Sequence, residues 1–256
     1  GSMPKPEGLE VIMFTSGSSG VPKGVARTVG NMVSEAGNVV ETLGIDSTDR
    51  ILVPVSISHA YGFNLGLLPM AFAGAAMVIH RSFVPARILG ELAAKQTTVC
   101  LGVPSMYRIL ADFEQSRAVD LSHVRYLLSS TASLSVNLIT DFHRRFNAPI
   151  CQEYGTSETG AITVHVPSSV LERPSSVGVA ARNVEIRVVG SDGQPLGSGQ
   201  EGEVVVRSGS VSAGYVADPT GETSQVFSRA GNGMFEYRTG DLGVIDEEGF
   251  LFVRGR

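Results

Sequence analysis

Between residues 50 and about 166, short apolar β-prone runs alternate with segments of helical period, and few folds accept that order. The runs are 51–55, 75–79, 97–101, 124–128, 149–152 and 161–166. Each is nearly continuous in apolar residues, as strands covered on both faces of a parallel sheet must be. Between them, 85–96 and 104–113 open on a proline, whose fixed φ and missing N–H suit a first helical turn, and 135–146 opens on a capping hydroxyl. An earlier helix over 31–43 sets Met32, Ala36, Val39 and Leu43 on one face and stops at Gly44. This half is therefore expected to be α/β, a mainly parallel sheet with flanking helices. After Pro167 the texture changes to β-prone runs at 184–189, 203–207, 234–238, 242–245 and 250–253, separated by Gly, Asp, Ser and Pro clusters. The division predicted is an α/β subdomain over 4–168 and a smaller β-rich subdomain over 169–256. Gly1-Ser2 before Met3 reads as the remnant of a cleaved expression tag and is set aside.

With 256 residues, 43% of them hydrophobic, the chain can bury a substantial core. A net charge of −5 and 20 scattered Lys and Arg residues leave no basic excess to neutralise a nucleic-acid backbone, so nucleic acid is excluded as a partner. No apolar run reaches the ~20 residues of a membrane span, and the start carries no signal-peptide pattern, so a cytoplasmic protein is expected. Cys100 and Cys151 both fall in apolar strand-like runs and are read as core thiols.

Chemistry concentrates in a few loops. Thr15-Ser16-Gly17-Ser18-Ser19-Gly20-Val21-Pro22-Lys23-Gly24 follows an apolar run and reads as a polyphosphate cradle. Its glycines let backbone N–H groups turn inward, its hydroxyls add donors, and Lys23 brings a point charge. It is not the P-loop of NTPases, which needs glycine where Pro22 stands. A second cluster, Gln152-Glu153-Tyr154-Gly155-Thr156-Ser157-Glu158-Thr159-Gly160, follows a strand end at 151, the sheet edge where α/β folds bind ligands. There Tyr154 can stack on a purine, Ser157 can reach a phosphate, and Glu158 is a hard oxygen ligand for Mg²⁺. A third, Tyr237-Arg238-Thr239-Gly240-Asp241, joins two strand candidates, and Asp241 can accept both ribose hydroxyls. The cationic fork of Arg256 ends the chain. Gly197, Gly199 and Gly202 match G-x-G-x-x-G but lead into a strand, not a helix, and are read as a turn.

Taken together, TSGSSGVPKG at 15–24, YGTSETG at 154–160, GEVVVRSGSVSAGY at 202–215, YRTGD at 237–241 and GFLFVRGR at 249–256 resemble the adenylate-forming superfamily of acyl-CoA synthetases, aryl-acid ligases, luciferases and peptide-synthetase adenylation domains. The resemblance implies that a carboxylate attacks the α-phosphate of ATP, giving an acyl-adenylate and pyrophosphate, and that the acyl group then passes to coenzyme A or a carrier-protein thiol. By the same likeness 15–23 hold the ATP phosphates, with Lys23, Ser157 and Glu158 catalytic and Glu158 on Mg²⁺. Ser130, Thr131, Ala132, Glu153, Tyr154, Gly155, Asp241 and Arg256 complete the nucleotide site. Substrate contacts fall to His59, Tyr61, Gly62, Ser130, Gly155 and Thr156. Ser157 stands where threonine is usual and keeps the hydroxyl.

Residues 51–90 contain no carboxylate to pair a buried ammonium, so a plain carboxylic acid is expected over an amino acid. At 129–134 relatives usually read Ser-Gly-Gly-Ala-Pro-Leu, whereas Ser130 and Thr131 occupy the glycine positions here. The added volume predicts a small, polar or aromatic acyl group over a long chain. Superfamily members are considerably longer, with a segment before the phosphate loop and a mobile domain after the hinge that carries a lysine for the substrate carboxylate. The chain alone is thus expected to bind nucleotide with very weak or absent turnover, since losing such a cation costs ~10²-fold or more. Uncovered sheet edge would call for a complementing fragment or self-association. Two other readings stand beside the ligase: a non-catalytic nucleotide-binding module of the same fold, and an aryl-acid adenylation unit loading a carrier protein.

Overall fold

The computed structural model describes residues 9–15, 23–114, 118–216, 218, 221–231 and 234–255. The first strands are β1 (Leu9–Thr15), β2 (Lys23–Thr28), β3 (Arg50–Val53), β4 (Ala76–Ile79) and β5 (Val99–Gly102), followed by β6 (Tyr126–Ser129), β7 (Ile150–Thr156), β8 (Gly160–Val164) and β9 (Val179–Ala180). The remainder are β10 (Glu185–Val189), β11 (Gly202–Ser208), β12 (Tyr215–Val216), β13 (Phe227–Arg229), β14 (Phe235–Ile245) and β15 (Leu251–Gly255). Helices are α1 (Val29–Leu43), α2 (Ala60–Gly62), α3 (Leu68–Ala73), α4 (Pro85–Ala93), α5 (Pro104–Asp112), α6 (Val136–Phe146) and α7 (Thr223–Val226).

The α/β alternation builds a seven-stranded sheet in the order β4-β3-β5-β6-β7-β8-β9. β4 through β7 in that order are parallel, and β8 and β9 add antiparallel. The chain runs outward from β3 to β4 and then back across to β5, so the order reverses there, and ligand clefts open at the carboxyl ends of such strands. The prolines and Ser135 behave as expected: α4 and α5 start on Pro85 and Pro104, and the Ser135 side chain accepts from Leu138 N. Helix α1 begins two residues earlier than the hydrophobic period implies, because Thr28 and Asn31 form a reciprocal capping box; it ends at Gly44 with φ 59°.

A five-stranded antiparallel sheet, β10-β11-β14-β13 with β15 on β14, forms the C-terminal third, and β1, β2 and β12 make a three-stranded one. Buried side chains gather in two clusters. One packs Ile51, Leu52, Leu101, Leu127 and Leu128 under Leu138, Phe142 and Phe146, and includes both cysteines, whose thiols burial pushes up in pKa. The other unites Met13 and Val25 of the first hairpin with Val204, Val206, Phe227, Tyr237 and Leu251.

Some elements differ from expectation. The segment 237–241 does not join two strands: β14 runs unbroken from Phe235 to Ile245, and Gly240 at φ 71° absorbs a bulge against β11. Thr239 Oγ1 donates to Val204 O at 2.8 Å and Gly240 N to Glu203 Oε1 at 3.1 Å, which keeps the strand attached through the irregularity. Likewise β7 extends to Thr156, so only 157–159 turn between β7 and β8. Residues 60–73, to which the sequence pattern assigns no element, form a continuous helical stretch with a π-type turn at Phe63–Leu67. Gly62 permits close packing there: a Cβ on it would fall 2.3 Å from Ser56 O. Apolar side chains stand in solvent on β1 (Phe14, 72% exposed), α3 (Phe72) and the edge strand β4 (Ile79).

Candidate functional site

A cavity of about 650 Å³ lies at the carboxyl ends of β6 and β7. Thr15 and Lys23 reach it from the first hairpin, His59 and Tyr61 from α2 and its cap, Ser130 and Thr131 from the end of β6. Glu153, Tyr154, Gly155 and Thr156 come from β7, Ser157 and Glu158 from the β7–β8 turn, and Asp241 from β14. Ser16, Gly17, Ser18, Ser19, Gly20 and Arg256 lie outside the described residues. Two expected contacts are not brought in. Gly62 is packed against the Ser56 backbone, and Ala132 is exposed beyond the cavity wall.

One end of the cavity is a closed network of polar contacts. Tyr154 OH donates to Asp241 Oδ2 at 2.7 Å, and Asp241 N donates to Thr239 Oγ1 at 3.0 Å. Burial first, then the neighbouring Asp241 carboxylate, raises the Tyr154 pKa. Tyr215 OH donates to Glu158 Oε1 at 2.9 Å, while Lys23 Nζ sits 5.4 Å from the Tyr215 ring centroid and 2.5 Å from a Glu222 oxygen. Arg238 pairs with Glu203, whose other oxygen holds Gly240 N. Both line the cavity.

The other end is less committed. His59 Nδ1 accepts from Tyr61 N at 3.2 Å and caps α2, and Tyr61 OH donates to Leu128 O at 3.0 Å. Asn64, on the π-type turn, is 2% exposed and its Oδ1 has no hydrogen-bond partner among the described residues. Glu153 is 4% exposed; burial pushes its carboxyl up to about 8, opposed by a hydrogen bond from Ser130 and reinforced by the neighbouring Glu35 charge. Thr131 adopts φ 71°, a left-handed conformation that a β-branched residue enters only under strain. It is a glycine position by the family pattern, so the wall carries both extra volume and stored strain.

Behind the β7–β8 turn lies a buried pair of charges outside the cavity. Arg27 is fully buried on β2; its Nη1 donates to Ser157 O at 3.1 Å, while Nε and Nη2 have no partner among the described residues. Burial lowers its pKa, and Glu35 and Glu158 oppose that shift. Glu35 on α1 accepts from Ala161 N at 2.9 Å, and burial raises its carboxyl to about 7. Arg27 and Glu35 thus grip the two ends of the hairpin turn that presents Ser157 and Glu158.

Sequence reasoning missed Tyr215, Glu222, Asn64, Arg27 and Glu35. Tyr215 closes the GEVVVRSGSVSAGY stretch, so a signal existed for it. It also overlooked Glu153 as a carboxylate for the substrate end: residues 51–90 contain none, yet β7 delivers one from farther along the chain. The argument against an amino group in the substrate therefore loses its premise.

A tyrosine tied to an aspartate, with a lysine and Glu158 across the same cavity, gives this α/β sheet edge side chains of the kinds that can take a mononucleotide. The AMP-binding enzyme family model matches residues 1–216, and the chain belongs to that family, part of the adenylate-forming superfamily. Over 255 residues it is 32% identical to a feruloyl-CoA synthase of Amycolatopsis, covering 98% of this chain and 50% of that protein. It is 31% identical to an indoleacetate–CoA ligase of Aromatoleum aromaticum, covering 96% and 47%. Among solved structures, ATP-bound MatB from Rhodopseudomonas palustris superposes with a TM-score of 0.83 at 28% identity, covering 97% of this chain and 48% of that one. The chain spans about half the length of the curated relatives it matches. No helix among the described residues is long and apolar enough to cross a membrane.

Proposed function

We propose that this chain is the nucleotide- and acid-binding core of an ATP-dependent carboxylic-acid:CoA ligase, which forms an acyl-adenylate, releases pyrophosphate and passes the acyl group to coenzyme A. The observation that carries this reading is the convergence of Lys23, Glu158 and Asp241, from segments remote in the chain, on one cavity. Tyr154 packs on adenine while its hydroxyl fixes Asp241 for the ribose, a contact already made at 2.7 Å. Lys23 and the hydroxyl loop before it take the phosphates, and Ser157 donates to a phosphate oxygen. Arg256 joins Asp241 at the ribose.

The physical obstacle is repulsion between a carboxylate and a polyphosphate. Fixed cationic and N–H donors in a partly dry cavity offset it without reorganising during the reaction. Among the described residues no cluster of three or more His, Cys, Asp or Glu side chains is placed to hold a metal ion. A Mg²⁺ site needs no such cluster, because Mg²⁺ binds through one or two carboxylates plus the phosphates of its substrate. Glu158 fits, with Oε1 steadied by Tyr215 and its second oxygen left for the ion. Mg²⁺ there would neutralise developing phosphate charge. The CoA ligases among the relatives favour CoA over a carrier protein as acceptor.

The test is carboxylate-dependent exchange of labelled pyrophosphate into ATP, run with the chain alone and with the C-terminal domain of a relative supplied in trans, beside calorimetry with AMP. Binding of AMP with exchange only in the supplemented reaction is the expected result. AMP binding with no exchange for any acid in a broad panel would convert the reading to a non-catalytic nucleotide-binding module.

A further inference from the structure

The end of the cavity away from Asp241 carries polar groups that the reaction does not use. Glu153 points there from β7: a Cβ placed on Gly155, its same-face neighbour two residues on, would lie 2.6 Å from Glu153 Oε1. The glutamate therefore lies across the gap that Gly155 leaves open. Ser130 hydrogen-bonds its carboxyl, and Tyr61, whose ring lines the same wall, is close enough to feel its charge. Asn64 lines the cavity from the π-type turn, itself an insertion that re-aims side chains, and its amide oxygen is buried with no partner among the described residues. Burying a carboxyl and an amide with incomplete partners is costly unless something completes them.

Resting on the acid-ligase reading above, we infer that Glu153 is the specificity residue for the acid, and that it selects a short carboxylic acid whose far end carries a hydrogen-bond donor, a hydroxyl or an amine. Glu153 shortens the acyl end and replaces an apolar floor by an acceptor. A terminal methyl would meet that acceptor and leave it desolvated, whereas a hydroxyl or amine completes it; discrimination by unpaired buried groups exceeds discrimination by fit alone. Burial that favours the neutral carboxyl matches a hydroxyl below about pH 8, and the ionised carboxylate above it matches an ammonium.

The experiment measures, by calorimetry on the whole chain, the affinities of acyl-sulfamoyl adenosines that differ only in the terminal group of a short acyl part: hydroxyl, amine or methyl. AMP is titrated alongside. The readout is the affinity ratio between analogues, in which any common change in nucleotide binding cancels. The expected result is a preference of roughly 10- to 100-fold for the hydroxyl or amine over the methyl analogue. Glu153→Leu should abolish that ratio. Glu153→Gln, the near-isosteric variant that keeps an acceptor, should retain the hydroxyl preference and lose that for the amine at high pH. Equal or tighter binding of the methyl analogue, or a ratio that survives Glu153→Leu, overturns the inference while AMP binding leaves the nucleotide reading standing. Failure of AMP and every analogue to bind removes both.

Discussion

The two ends of the cavity are built by different means. On the side of the antiparallel strands four side-chain pairs are already made: Tyr154 with Asp241, Tyr215 with Glu158, Lys23 with Glu222, Arg238 with Glu203. On the side of the parallel sheet, Glu153 and Asn64 are buried, the first with a displaced proton equilibrium and the second with an oxygen that has no partner among the described residues, beside an exposed Thr131 on strained backbone. On the function proposed above, the first arrangement is a preset site for the nucleotide, the ligand that never changes. The second is energetically unfinished, as expected where the ligand supplies what is missing.

That contrast can be broken from below. Phe142 is fully buried between Tyr107 and Phe146 in the layer that supports β6. Phe142→Ala should cost about 3–5 kcal/mol in urea unfolding, and a cost under about 1 kcal/mol would show that the parallel-sheet wall does not depend on this packing.

A pH scan addresses the unfinished wall directly. Glu35 and Glu153 have folded pKa values raised from 4.5 to about 7 and about 8. The folded state holds those protons more tightly than the unfolded chain, so stability is greatest below the unfolded value and is lost as pH rises through the folded one. The melting temperature should therefore fall between about pH 4.5 and pH 8. Both displacements act in the same direction, each tenfold displacement of a proton equilibrium corresponding to about 1.4 kcal/mol. Glu153→Gln should flatten the upper part of the slope and Glu35→Gln the lower part; a flat profile in the unsubstituted chain contradicts the burial of both groups.

On the preset side, Asp241→Ala should weaken AMP binding by roughly 10- to 100-fold, the loss of a charge-assisted hydrogen-bond acceptor. Asp241→Asn, which still accepts from Tyr154, should lose less. Equal affinities for all three chains would place the ribose elsewhere. The smallest effect belongs to Thr131→Gly. Relief of the left-handed strain, about 1–2 kcal/mol, is partly offset by glycine's greater backbone entropy, about 0.5–1 kcal/mol. The variant should gain up to about 1 kcal/mol in chemical denaturation, and a net loss would mean that the threonine side chain holds the wall in place.

Legibility in the sequence follows the same division. The parallel sheet declared itself because its strands are apolar on both faces and its helices open on Pro85, Pro104 and Ser135, signals that act within a few residues. The bulged run through Thr239, Gly240 and Asp241 did not, because glycine at positive φ serves a turn and a bulge equally well, and only the partner strand β11 decides between them. The helical stretch over 60–73 was not assigned from the sequence; Gly62 and Gly66 within it serve close packing against Ser56 and Val53. Lys23, Tyr154, Glu158 and Asp241 were readable from their motifs. Glu222 was not, lying 199 residues from Lys23 in an undistinguished polar stretch. Arg27 and Glu35 were invisible for another reason, since a buried charge and a solvated one are spelled with the same letters.

The contact between Lys23 and Glu222 has a consequence for how a polyanion arrives. The cation is already engaged, so on the function proposed above a phosphate reaching Lys23 would exchange for a carboxylate. Glu222 stands at the start of the short helix α7, so a phosphate drawn to Lys23 would bring a like charge against that end of the helix.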